Sequence, residues 1–210
     1  MDREVGSKRS AIWLLGDSNP AQWQSRLATP LDPRHPARHS IWTPILDALQ
    51  EHVYRGARLR LDTSNLYIRN AVEDPHTKPR GTSRSWSPAL DGGSERLAAD
   101  LRAHRPMFLL AFGAFAFEFA RRAHGENPAR AFSSWGARTM GEEFRQRAST
   151  FMADRVNLLP LLHITIARGK FIESHNYFTA ADGANYFQEA GKALGDLLLT
   201  HRTTSDFWIQ

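Results

Sequence analysis

The 210-residue chain has no cysteine. That one absence removes disulfides, thiol nucleophiles, iron–sulfur clusters and Cys-ligated zinc together, and it fits a cytoplasmic protein, the expected compartment. Long apolar runs are missing as well. The longest, Met107 to Ala120, is broken by Gly113 and Glu118, so no bilayer span and no membrane partner is expected. Residues 1–10 are charged, and the apolar run from Ala11 stops at Asp17, too short for a secretory signal. There is no GxGxxG, no GxSxG and no phosphate-cradling loop ending in Lys-Ser/Thr. Dinucleotide, serine-hydrolase and nucleotide-triphosphatase chemistries therefore lack support. Internal repeats and low-complexity tracts are also absent.

What is present is enough for one core. With 41% hydrophobic residues, a single domain over 1–210 is expected. The 27 basic residues exceed the 22 acidic ones, leaving a net charge of +5 that favours a polyanionic partner such as DNA without requiring one. Short apolar runs at 11–16, 65–70, 107–112 and 156–162 have strand length. Between them, Trp42, Ile45, Leu46, Leu49 and Val53 recur at helical spacing, predicting a helix over 41–54. Further helices are expected over 94–104, closed by Pro106, over 114–123, and over 184–201. Strands alternating with helices argue for an α/β protein with a parallel sheet covered on both faces. Two stretches interrupt the alternation. Residues 72–93 hold three prolines, three glycines and the bases Lys78, Arg80 and Arg84, while 125–150 carry no clear pattern. The apolar 204–210 tail is expected to dock on the body.

In an open α/β sheet the carboxyl ends of parallel strands line the ligand crevice. Three of the runs end in residues with chemistry: Gly16-Asp-Ser-Asn19-Pro20, Arg69-Asn70, and Leu161-Leu-His163. Each also has a plain reading. Asn-Pro after a strand is a common turn, because Asn bonds its own backbone and Pro fixes φ. A histidine at a strand end is commonly structural, and Asn70 alone says little. His35 and His39 have helical ligand spacing, but Pro36 lies between them and no acidic partner is evident, so no metal site is expected.

Taken in order, these residues resemble the uracil-DNA glycosylase superfamily over most of the chain. That family opens with a strand and a Gly-x-(Asp/Asn)-Pro turn that positions the attacking water. Gly16-Asp-Ser-Asn19-Pro20 is one residue longer, and its Asn-Pro is similar to the mismatch-specific and single-strand-selective branches. The next strand ends in an Asn that reads the pyrimidine edge, as Leu66-Tyr-Ile-Arg-Asn70 does. An apolar strand, glycine and Ala-rich helix follow, as in Phe108 to Ala116. In the common uracil-excising branch, a His loop leads to Gly-Phe-Phe, His-Phe and an Asn opening the last helix. Here His163, Arg168-Gly-Lys-Phe171, His175-Asn-Tyr-Phe178 and Asn185 stand in matching order.

The resemblance implies a three-layer α/β/α fold around a mainly parallel four-stranded sheet. It also implies a monofunctional DNA glycosylase that excises uracil or a 5-modified pyrimidine as a monomer, with no cofactor and no metal. By it, His163 would stabilise the leaving base, Asn19 would orient water and Asp17 is an alternative base. Asn70 would read the base edge, and Lys78, Arg80, Arg168 and Lys170 would contact phosphates. Trp23 and Trp42 are candidates for the aromatic that stacks on the base, with core packing the plainer role for Trp42. There are departures. The Pro-Ser that follows the family histidine is Ile164-Thr165 here, which removes the usual phosphate clamp and wedge. After Asn19-Pro20 the family's tyrosine is Ala21, leaving space for a substrate bulkier at C5 than uracil. The lost Pro-Ser keeps a non-catalytic DNA reader open, and mild basicity is equally compatible with an unrelated small-molecule α/β enzyme.

Overall fold

A computed structural model describes residues 4–23, 26–35, 38–163, 178, 185–203 and 207–209, apart from the side chains of Trp23, Ser40 and Ile41. Its centre is a sheet of five strands: β1 (Glu4–Val5), β2 (Ile12–Gly16), β3 (Tyr67–Asn70), β4 (Phe108–Phe112) and β5 (Asn157–Leu161). Their order is β1-β3-β2-β4-β5. The four strands expected from sequence run parallel, and the two-residue β1 adds an antiparallel edge against β3. The β4 run Phe-Leu-Leu-Ala-Phe is buried at every position, as befits an inner strand covered on both faces. Pro160 sits within β5, which a central strand would not tolerate; β5 is an edge, so its missing N–H leaves no ladder bond unmade.

Five helices pack around the sheet: α1 (Thr43–Ala57), α2 (Pro88–His104), α3 (Ala114–Ala123), α4 (Ala137–Ser149) and α5 (Tyr186–Thr200). Leu49 of α1 and Leu194 and Leu198 of α5 meet Ile12, Phe108 and Leu110 on one face. Alternate strand residues point the other way, and there the Trp13 ring lies 6.1 Å from His104 at the end of α2. Helices thus cover both faces, an arrangement compatible with three α/β/α layers. α2 begins well before residue 94, at Pro88. Gly92-Gly93 reads as a breaker, but Gly93 is buried where a Cβ would come within 3.3 Å of the Phe119 ring. The unassigned 125–150 stretch contains α4, whose apolar stripe is only Met140 and Phe144 among its large side chains, too thin to declare a helix. Phe207 is buried and Trp208 bridges to Leu61, so the tail docks on the body. Among the described residues, no helix is long and apolar enough to cross a membrane.

Candidate functional site

The chain runs from β2 outward to β3 on one side, then to β4 on the other side of β2, so the strand order reverses there. Such a reversal opens a crevice beyond the carboxyl ends of the strands. A pocket of about 500 Å³, counting its open mouth, lies there. Gly16, Asp17, Ser18 and Asn19 from the end of β2, Asn70 from β3, Phe112 from β4 and His163 just beyond β5 line it, together with Leu31, His35 and Trp42.

Backbone bonds bring the strand ends together. Ala71 N–H donates to the Gly16 carbonyl at 2.9 Å and Val72 N–H to that of Asp17 at 3.1 Å, which holds the polar turn against Asn70. The Asn70 amide then donates to Asn19 Oδ1 at 3.1 Å. Gly16 makes this possible, because a Cβ there would stand 2.4 Å from Asn70 Oδ1. On the other side, Gly113 N–H donates to the Leu161 carbonyl at 2.7 Å, and the Tyr186 hydroxyl accepts from Leu162 N–H at 2.9 Å. Gly113 has φ +92°, and a Cβ on it would lie 2.9 Å from the His163 Cβ. A larger residue would be strained and would push the imidazole away.

The polar groups are incompletely used. Lys78 Nζ lies 2.8 Å from Asp17 Oδ2, while the buried Asp17 Oδ1 has no partner among the described residues. Asn19 is 2% exposed, with Oδ1 engaged by Asn70 and Nδ2 without a partner among the described residues. Buried polar atoms are nearly always paired, so an orphan acceptor and an orphan donor beside one cavity need a reason. Burial lowers the pKa of His163 below the ordinary histidine value; Asp17 opposes this shift and the Lys78 charge adds to it. The ring is therefore neutral near pH 7, with one donor and one acceptor nitrogen.

Asp17, Asn19, Asn70 and His163, chosen from sequence, thus come together. Lys78, assigned there to phosphate, is drawn to Asp17 and lies 5.8 Å over the Phe115 ring. Its ammonium is held by the carboxylate rather than projecting freely. Arg80 is exposed on the loop before α2. Ala21 is exposed on a 3-10 turn (Ala21–Trp23) and is not among the described residues that line the pocket. The Trp23 side chain, Arg168 and Lys170 lie outside the described residues. Trp42 is both core and wall: 7% exposed, it meets Phe112 edge-on at 5.9 Å. Leu31, His35 and Phe112 were missed. A strand-end phenylalanine before a required glycine is a usable signal for Phe112; in the 27–38 loop His35 stands out only through its spacing to His39, and nothing local marks Leu31.

No protein-family model matches the chain, and no curated protein matches it.

Proposed function

We propose that this protein is a DNA glycosylase of the uracil-DNA glycosylase kind, hydrolysing the N-glycosidic bond of an extruded pyrimidine, uracil or a 5-modified one. The observation that carries the reading is the convergence of Asn19, Asn70 and His163 on one pocket from three strand ends, in the order that the resemblance implies. The two orphan polar atoms at its wall support it further.

A base must leave the stack to reach such a pocket, at a cost of a few kcal/mol that contacts inside recover. Phe112, Trp42 and Leu31 supply apolar wall for its faces, and Asn70 supplies amide groups for its edge. As the C1′–N1 bond breaks, its electron pair passes to the base. A neutral His163 then donates to the oxygen where charge grows, the kind of preorganised donor that carries much of such rates. Water adds to C1′. Asp17 suits the task of accepting its proton: Oδ1 is vacant, Oδ2 is held by Lys78, and a carboxylate takes a proton as an amide cannot. Asn19, pinned by Asn70, orients through its vacant Nδ2.

The test is single-turnover base release from single- and double-stranded oligonucleotides carrying uracil or 5-modified pyrimidines, scored as alkali-labile sites. Abasic product from wild type, lost in Asp17→Asn, is expected. Salt-sensitive binding with no product would instead make the protein a DNA reader, and no binding even at low salt would end the DNA reading.

A further inference from the structure

The loop between the Asn-Pro turn and α1 is held more firmly than a connector requires. Asp32, 4% exposed, accepts Ala28 N–H at 3.0 Å on Oδ2 and Arg34 N–H at 2.9 Å on Oδ1. The Arg34 guanidinium closes on the same carboxylate at 2.8 and 2.7 Å. Arg38 Nη1 donates to the Leu31 carbonyl at 3.1 Å, and His35 N–H donates to the Asp32 carbonyl at 2.7 Å. Within this clasp, Leu31 has φ +48°, a left-handed conformation that strains a leucine backbone. Such strain persists only where surrounding bonds enforce it, and here they deliver Leu31 and His35 to the pocket wall.

His35 is thus a second imidazole lining the pocket that His163 also lines, and it feels the charge of His163. Burial, and then the charge of His163, lower the pKa of His35, with Asp32 opposing. Around His163 the charged groups are Asp17 and Lys78. Two imidazoles that disfavour protonation are both neutral near pH 7, and a neutral imidazole carries one N–H.

We propose that His35 is a second catalytic histidine, donating a hydrogen bond to the departing base beside His163, with the Asp32 clasp holding it in place. The inference rests on the glycosylase reading and deepens it: the developing negative charge is shared between two neutral donors. No bond to His35 forms, and no proton leaves it. The substrate class this favours is a planar heterocycle with hydrogen-bonding groups on two edges, one met by the Asn70 amide and the other by the two imidazoles.

Two measurements test it. In single-turnover base release, His35→Phe keeps a ring but removes the donor, and a loss of about 10²-fold is expected with DNA affinity and melting temperature retained. His35→Gln, which restores an N–H, should recover part of that loss. Combined with His163→Ala, His35→Phe should cost less than the product of the single losses, because the two donors act on one charge. Full rate in His35→Phe, with wild type active, overturns the proposal and leaves the glycosylase reading standing. The second measurement needs no turnover. Imidazole ¹⁵N resonances of the intact protein are followed while free uracil or thymine is added, with His35→Phe and His163→Ala used for assignment. Both rings are expected to shift together. If wild type releases no base from any oligonucleotide, the glycosylase reading fails and this titration alone decides His35; a silent His35 overturns its role as a base contact.

Discussion

Two of the clusters of buried polar side chains among the described residues are built to opposite rules. Around Glu118 on α3, nothing is wanting. Its Oε1 accepts from Arg122 Nε at 3.1 Å and Arg130 N–H at 2.8 Å; its Oε2 accepts from Arg121 Nη1 and Trp135 Nε1, both at 2.9 Å. Arg121 continues to Glu126 at 3.0 Å, and Arg147 joins Glu126 to Glu143. At the strand ends, by contrast, Asp17 Oδ1 and Asn19 Nδ2 have no partners among the described residues and lie beside a cavity. A saturated network holds the 125–136 loop and α4 to the body. On the proposed reading, the unsaturated one keeps its hydrogen-bonding capacity for something that enters, and the difference separates scaffold from site.

The largest effect should come from the saturated side. Glu118→Ala leaves Arg121 and Arg122 without their buried carboxylate, and a loss of about 3–5 kcal/mol in urea unfolding is expected. The fraction still folded should release base at the wild-type rate. A variant that unfolds no more easily, or that selectively loses chemistry, would erase the contrast. His163→Ala is the converse: melting is nearly unchanged, while single-turnover release falls about 10²–10³-fold. Equal losses of DNA binding and rate would remove His163 from the chemistry.

Gly113→Ala probes the seam between scaffold and site. The methyl would lie 2.9 Å from the His163 Cβ at a backbone φ of +92°, so both stability and imidazole position suffer. A displacement of about 1 Å can cost 10²-fold in rate, so the kinetic loss should approach that of removing the ring. Wild-type kinetics in this variant would show that His163 acts from another position.

Acidification gives the mildest and most graded contrast. His35 and His163 have lowered folded pKa values, so below an unfolded value of about 6.5 the unfolded chain takes up protons that the fold refuses. Their contribution is intact above that pH and declines as pH falls towards the depressed folded values. For Glu126, burial alone would raise the pKa, but the Arg147 and His124 hydrogen bonds and the Arg147 and Arg121 charges outweigh it and hold it low. Its contribution is present above the ordinary 4.5 and is lost only as pH falls below that. Melting temperature should therefore decline in two stages, the histidine stage first. His35→Phe should flatten the first stage and leave the second intact. A single late transition would show that the pocket imidazoles titrate normally.

Much of the frame was legible because hydrophobic periodicity is local. β2, β4 and β5 begin and end within one residue of the apolar runs that announced them, β3 within two, and α3 matches its stretch. Edge strand β1 was not legible, since two residues carry no period and exist as a strand only through β3. α4 was lost because salt bridges, rather than an apolar stripe, hold one side of it. Of the site, the residues at strand ends could be named in advance, since a parallel sheet gathers such ends on one edge. Lys78 is a phosphate contact only by the resemblance, and nothing local in the sequence shows that its loop folds back onto Asp17.

The sequence by itself determined the α/β alternation, the parallel strands and the candidacy of Asp17, Asn19, Asn70 and His163, all of which follow from runs a few residues long. Only the tertiary structure decided which hydrogen-bonding atoms stay vacant, that Lys78 neutralises Asp17, and that a clasped loop carries Leu31 and His35 to the same wall. Vacancy and charge pairing are properties of distant neighbours: Asp17 and Lys78 are 61 positions apart in the chain, and Asn19 and Asn70 are 51 apart. Chain order alone does not set those distances; the packing of helices against the sheet does.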